Sequence, residues 1–240
     1  PGTFGLPLGH PMIAPVAVIA GLLTGTALGA LHGWLVGYQG IPAFIVTLGG
    51  LLIWRNVGWH LSTGQTLGPL DHTFLMFGGI EGTLGETASW IIGGLGAAVA
   101  VWGIFRGRNA RAKHGFPVKP IWAEVTLAGI SVVAILGFIA VLNTYDIPIR
   151  RLERMFAARG EAVPEGYTQA FGLPISVLIL LVVAVAMAFI GERTRLGRYI
   201  YATGGNPDAA ELSGINTRLL TVKVFAIMGF LCALSAVVAQ

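Results

Sequence analysis

The chain has 240 residues, of which 55% are hydrophobic and only 11% are charged, whereas soluble domains carry roughly 25% charged residues. These numbers leave too few polar side chains to cover a soluble surface, so they exclude a soluble globular domain. The formal net charge of +4 comes from basic loops rather than from a basic stripe interleaved with exposed aromatic residues, and it predicts no nucleic-acid partner. We expect an all-α, polytopic bundle of membrane-spanning helices, surrounded by a lipid bilayer.

Long apolar segments predict where the helices cross the membrane. A helix needs about 20 apolar residues to cross the hydrocarbon core. The chain lacks an initiator methionine and ends inside an apolar segment, so we expect residues 1–240 to be a single transmembrane domain that is cut at both ends. About six spans are predicted, at residues 12–36, 41–59, 89–105, 121–142, 173–190 and 219–240.

The charges between the spans predict the orientation. Cytoplasmic loops carry an excess of Lys and Arg, so segment 106–119, which is basic and contains no acidic residue, is expected in the cytoplasm. Loop 61–88 has acidic residues but no Lys or Arg and is expected outside, with its apolar part 74–80 forming either a re-entrant or interfacial helix or a surface loop. Loop 143–172 is long and carries both signs of charge; alternation places it outside and returns segment 192–218 to the cytoplasm.

The sequence contains few motifs that indicate a catalytic, nucleotide-binding or metal-binding site. It contains no GxxxxGK[ST] phosphate loop, and the glycine clusters 93–96 and 204–205 do not follow a strand in a βαβ unit as a dinucleotide fingerprint would. No two of the five histidines stand at metal-ligand spacing, which predicts no metal site. Ionisable residues in the spans are scarce: His32 lies towards the inner end of the first span, and Glu124 and Lys223 lie one turn inside theirs, where we expect long side chains to reach the interface. This scarcity weakens an ion-coupled transporter, since such proteins use buried ionisable groups.

Segment 192–218 contains the signals of a short helix. Asn206 is a suitable N-cap, Pro207 fits the first helical position, and Asp208 complements the helix dipole. One or two turns follow, and Gly214 is placed to end them at the C′ position. On the residues alone, an ordinary interfacial helix and a helix closely approached by another protein are equally compatible with a small-residue face made of Ala209, Ala210 and Ser213.

Two motifs resemble those of a known family. The series Gly197-Arg198-x3-Ala202-x-Gly204-Gly205-Asn206-x2-Ala209-Ala210-x2-Ser213-Gly214-Ile215 resembles the cytoplasmic coupling loop of ABC importer permeases of the ribose/xylose branch. The run Ile41-Pro42-Ala43-Phe44-Ile45-Val46-Thr47-Leu48-Gly49 is similar to the family segment that opens a membrane helix after a short inner turn. Gly64-Gln65-Thr66 adds a likeness to the xylose-permease subgroup, whereas the long charged loop 143–172 departs from many relatives.

The resemblance implies a permease subunit of a bacterial inner-membrane importer for a monosaccharide, D-xylose or another pentose. The implied partners are an ABC ATPase subunit, a periplasmic sugar-binding protein and a second permease copy in a homodimer. ATP and Mg would be held by the ATPase, so the chain itself would be no enzyme and hold no cofactor. The residues implied in ATPase coupling are Gly204, Gly205, Asn206, Pro207, Asp208, Ala209, Ala210, Ser213 and Gly214.

The start of the second span is the expected border of the sugar path. Pro42 interrupts the backbone pairing there, and such breaks occur at membrane depth only where protein or water satisfies the free groups. Phe44 offers an apolar ring and Thr47 a hydroxyl, which together suit a sugar; alternatively, Phe44 packs on a neighbouring helix. The other functions that the sequence leaves open are a secondary transporter or channel for a small neutral solute and a non-transporting membrane scaffold.

Overall fold

The computed structural model describes residues 12–65, 74, 77–78, 82–157, 164 and 167–239. In these residues the regular structure is helical, and extended pairing is limited to three isolated bridges. A helix overlaps each of the six predicted spans. The helices are α1 Ile13–Gly37, α2 Ala43–Leu61, α3 Gly85–Lys113, α4 Ile121–Thr144, α5 Ile149–Ala157, α6 Ile175–Arg193, α7 Arg195–Gly205, α8 Pro207–Leu212 and α9 Thr217–Val238.

Five helices of the described part are long and apolar enough to cross a membrane, namely α1, α3, α4, α6 and α9. The predicted all-α polytopic fold is therefore confirmed, with a span count close to the expected six. The helix α2 is less apolar because its second half contains Arg55, Asn56 and His60. Such residues are costly in hydrocarbon unless they reach the interface or a polar neighbour.

The helix α3 is longer than the predicted span that ended at residue 105, and it continues through the basic segment to Lys113. Arg and Lys are good helix formers and interact favourably with the carboxyl-terminal end of the helix dipole. The helix ends at Lys113, and Gly115, two residues later, has a φ of +72°, with the Phe116 N–H donating to the Arg111 carbonyl at 3.0 Å. By contrast, most of the apolar segment 74–80 lies outside the described residues.

The chain forms two compact units, one made of residues 1–82 and 178–240 and the other of residues 83–177. In the first unit, α1 and α9 pack closely along a stripe of glycines spaced four residues apart on α1. A methyl group at Gly29 would collide with the Phe225 carbonyl oxygen, and one at Gly37 would collide with the Arg218 carbonyl oxygen. Small residues permit this close approach of backbones. The stripe consists of Gly25, Gly29, Gly33 and Gly37.

In the second unit, a buried serine ties the start of α3 to the chain that enters α6. The Ser89 hydroxyl donates to the Gly85 carbonyl and accepts the Leu173 N–H at 2.6 Å. Gly172, at φ +71°, lies so close to Gly85 that a side chain at residue 172 would collide with the Gly85 carbonyl. The same stretch of chain is also bonded to the end of α4, where the Phe171 N–H donates to the Tyr145 carbonyl at 2.8 Å.

The structure buries Glu124 against a neighbouring helix, whereas the sequence led us to expect a side chain that extends to the membrane interface. Its side chain is only 5% exposed, and its carboxylate pairs with Arg108 of α3 at 3.5 Å. The same guanidinium donates to the Lys119 carbonyl at 2.9 Å. Because α3 continues past the predicted span, it presents Arg108 beside the first turn of α4, and an ion pair replaces the expected contact with water.

We predict that Gly29→Ala lowers the stability of the protein, whereas Gly21→Ala does not. The methyl group at residue 29 meets the backbone of α9, but one at residue 21 meets no atom within 4 Å. Overpacking of this kind costs about 1–3 kcal/mol. Thermal unfolding of the full-length protein in detergent will measure the difference, and equal midpoints for the two variants would contradict the packing argument.

Candidate functional site

The segment that follows α6 folds as two short helices joined at one residue. Thr194 caps α7 by accepting the Gly197 N–H at 3.3 Å. Asn206 ends α7 and begins α8, where its side-chain oxygen accepts the Ala209 N–H at 3.0 Å. Pro207 is the first residue of α8, as predicted. The helix α7 itself was not predicted, and it contains Gly204 and Gly205 as its last residues.

The predicted stop of the short helix is confirmed. Gly214 has a φ of +84° and donates its N–H to the Glu211 carbonyl at 2.9 Å. The next N–H, of Ile215, donates to the Ala210 carbonyl at 3.1 Å. This pair of bonds is the Schellman arrangement. Open space surrounds the position that a Cβ of residue 214 would occupy, so the backbone conformation alone restricts the residue type there.

The structure separates the two alanines that the sequence placed on one face. Ala209 is exposed, whereas Ala210 is only 4% exposed and packs within its own unit. Ser213 is exposed and donates its hydroxyl to the Ala209 carbonyl at 2.8 Å. Asp208 is exposed as well. Of the three residues predicted on one face, Ala209 and Ser213 are therefore exposed, whereas Ala210 is buried beneath the helix.

The short helices are joined to the long helices of the same unit. Both α7 and α8 contact α9, and Asn216 caps α9 by accepting the Leu219 N–H at 2.8 Å. A surface cavity of about 390 Å³ lies between the end of α1 and the α8–α9 junction, with Tyr38, Glu211 and Arg218 in its wall. Neither the Asn216 cap nor the position of Tyr38 in the wall of this cavity was predicted from the sequence. The Asn-Thr pair before an apolar run was an N-cap signal for the first of these.

Five residues, 38–42, separate the end of α1 from the start of α2, which has an exposed surface. Pro42 is the N-cap residue, and its carbonyl accepts the N–H groups of Ile45 at 3.0 Å and Val46 at 3.3 Å. Phe44 is 73% exposed, so its ring is not covered by the described part of this chain. The Thr47 hydroxyl donates to the Ala43 carbonyl at 2.9 Å, which leaves its oxygen able to accept from another donor.

A known protein family and several curated proteins match most of this chain in sequence. A protein-family model described as branched-chain amino acid transport system / permease component matches residues 3–239. The chain belongs to this permease family. It is similar to xylose transport system permease proteins, at 32% identity over 231 residues for that of Haemophilus influenzae and 33% over 231 residues for that of Escherichia coli. Each alignment covers 96% of the chain. A ribose import permease protein of Haemophilus influenzae is 42% identical over 77 residues, which are 32% of the chain and 23% of that protein.

The chain spans about half the length of the curated relatives it matches, 54% of the Haemophilus influenzae protein and 51% of the Escherichia coli protein. No solved structure gives a significant match. Family membership and the five long apolar helices show that the chain is a multi-pass protein of the bacterial inner membrane.

We predict that Gly214→Asn preserves α8 better than Gly214→Ala, and that Gly214→Val preserves it least. Asn tolerates the left-handed region, whereas a β-branched residue at positive φ is an outlier whose strain costs about 1–3 kcal/mol. Amide hydrogen exchange of residues 207–216 in the purified protein will rank the variants. If the alanine variant exchanged as slowly as wild type and the asparagine variant faster, the conformational explanation would be wrong.

Proposed function

We propose that the chain forms part of the translocation path of an ATP-driven importer for a monosaccharide, D-xylose or another pentose. The observation that carries this proposal is the identity of 32–33% to two xylose permeases across 96% of the chain. The scarcity of charge in the spans suits a neutral solute, because a path for a sugar needs hydroxyls, amides and aromatic rings rather than ion-binding groups.

Coupling to ATP hydrolysis is proposed to occur through segment 192–218. Its helix α8 is short, exposed on one side and capped at both ends, so it can be pushed as a unit. The α8–α9 connection contains only residues 213–216, which limits how far the two helices can move independently. Movement of α8 would therefore be transmitted to α9 and to α1, which packs along it.

The proposed partners are an ABC ATPase subunit against α8, a periplasmic sugar-binding protein on the outer face and a second permease copy. ATP and Mg would be held by the ATPase subunit, so this chain makes and breaks no bond. Its own contribution is mechanical: alternating access arises when one group of packed helices rocks against another around a site near the middle of the membrane.

The start of α2 is proposed to border the sugar path. The exposed ring of Phe44 supports this, since an aromatic face can cover the apolar side of a sugar. Thr47 lies nearly one turn further along the same helix, and its oxygen can accept from a sugar hydroxyl. Pro42 sets the direction in which this first turn leaves the preceding loop.

Uptake by the reconstituted full-length protein tests the proposed function. With the ATPase and binding protein present, we expect labelled D-xylose to accumulate in proteoliposomes only when ATP is supplied. An ATPase-inactive complex is the control. Equal uptake with and without ATP would favour a secondary transporter or channel, and no uptake of any pentose would contradict a pentose path.

We predict that Ala209→Trp and Ala210→Trp fail for different reasons. Ala209 is exposed and Ala210 is buried. A bulky residue at 209 should weaken attachment of the ATPase subunit while the thermal midpoint of the isolated protein stays near that of wild type. A tryptophan at residue 210 overpacks the contact beneath α8. It should lower the free energy of unfolding by about 1–3 kcal/mol, and with it the thermal midpoint.

Co-purification of the ATPase subunit, measured beside thermal unfolding, separates the two effects. Full attachment by a stably folded Ala209→Trp protein would show that this face of α8 does not meet the ATPase.

A further inference from the structure

A polar contact joins α1 to α2 within the apolar part of the first unit. The indole N–H of Trp54 donates to Nε2 of His32 at 3.0 Å, and the two ring centroids are 6.3 Å apart at an interplanar angle of 43°. The imidazole also lies against Gly50, where a methyl group would collide with its Cε1 and Nε2 atoms. Glycine at this position therefore lets the histidine approach the backbone of α2.

The direction of this hydrogen bond defines the form of the histidine. The indole nitrogen can only donate, so Nε2 of His32 must be the acceptor and the ring proton must be on Nδ1. An imidazolium, with both nitrogens protonated, could not make the bond. Both side chains are half-buried, and a polar group that loses its partner in a buried setting is costly.

The contact is important for α2 because little else of that helix is covered. Only Val46 and Gly50 of α2 are buried, and Gly50 is the residue beneath the His32 ring. By contrast, α1 is packed on α9 from Gly25 to Gly37. Consecutive residues of α1 thus face different helices: Gly33 packs against Val222 and Phe225 of α9, and His32 bonds to α2.

We propose that the His32–Trp54 hydrogen bond is a positioning contact that makes α2 follow the α1–α9 pair. It rests on the proposed function, in which α8 moves α9 and the start of α2 borders the sugar path. The bond completes that route, because α8 is connected to α9, α9 packs on Gly33, and the adjacent His32 holds Trp54. Residues 38–42 also connect α1 to α2, so without the bond α2 would be guided only by that connection and by the contact at Gly50.

The test uses the full-length protein reconstituted with its ATPase and binding protein, and it measures labelled D-xylose uptake and ATP hydrolysis per folded complex. Trp54→Phe removes the donor and keeps an aromatic ring, and His32→Leu removes the acceptor. Trp59→Phe is the matched control, because Trp59 lies on the same helix, is 65% exposed and makes no hydrogen bond through its indole in the described structure. His32→Gln retains an acceptor.

We expect Trp54→Phe and His32→Leu each to lower uptake about two- to tenfold, the effect of losing one hydrogen bond, with ATP hydrolysis close to wild type. The sugar transported per ATP would then fall. Uptake by the double variant should equal that of the single variant with the lower uptake, because both changes remove the same interaction. His32→Gln should recover part of the loss, and Trp59→Phe should leave uptake unchanged.

If the wild-type complex shows ATP-dependent uptake, three results would contradict the positioning role. They are equal uptake by Trp54→Phe and Trp59→Phe, losses that multiply in the double variant, and ATP hydrolysis that falls in parallel with uptake. Absence of ATP-dependent uptake in the wild-type complex is a different result, and it would contradict the proposed function itself.

Discussion

The close approach of α1 and α9 is the constraint on which the first unit depends. Hydrocarbon solvates apolar side chains as well as a protein interior does, so helices in a membrane associate through packing and polar contacts rather than through the hydrophobic effect. Gly29 on α1 and Gly229 on α9 face each other so closely that a methyl group on either would collide with the opposite backbone. Two helices more than 20 residues long therefore pack backbone against backbone along this contact.

In the proposed mechanism, this close packing would pass a displacement of the short helices on to α9 and α1 together. The helix α8 would be marginal alone, because isolated helices of this length are unstable in water. Asn206 begins it, Gly214 ends it, and Ala210 packs beneath it, so its position is determined by the same unit that contains α9. By contrast, α2 presents most of its surface outward, and it is joined to α1 by residues 38–42, by the Trp54–His32 hydrogen bond and by the contact at Gly50. The unit therefore combines a tightly packed pair with a less tightly held third helix.

Much of this could be read from the sequence. Hydropathy gave helices close to the predicted spans, and the signals at Asn206, Pro207 and Gly214 predicted the limits of α8 because caps depend on a few neighbouring residues. The four-residue spacing of Gly25, Gly29, Gly33 and Gly37 was not used in the sequence analysis, and spacing alone does not say which helix lies opposite. The burial of Ala210 and of Glu124 could not be predicted, since both depend on partners distant in sequence. The length of α3 was missed because a basic segment was interpreted as a loop, although Arg and Lys are good helix formers.

Polar groups in the membrane part are used sparingly, and the structure gives each of three of them a specific partner. Ser89 joins the start of α3 to Leu173, Glu124 joins α4 to Arg108, and His32 joins α1 to Trp54. Apolar packing alone tolerates sliding, because one Leu or Val contact resembles the next. A hydrogen bond has a narrower range of geometries than an apolar contact, and its loss is costly wherever no water can replace the partner. These contacts can therefore define register where the glycines define distance, and the one between α1 and α2 joins the α1–α9 pair to the helix that we propose borders the sugar path.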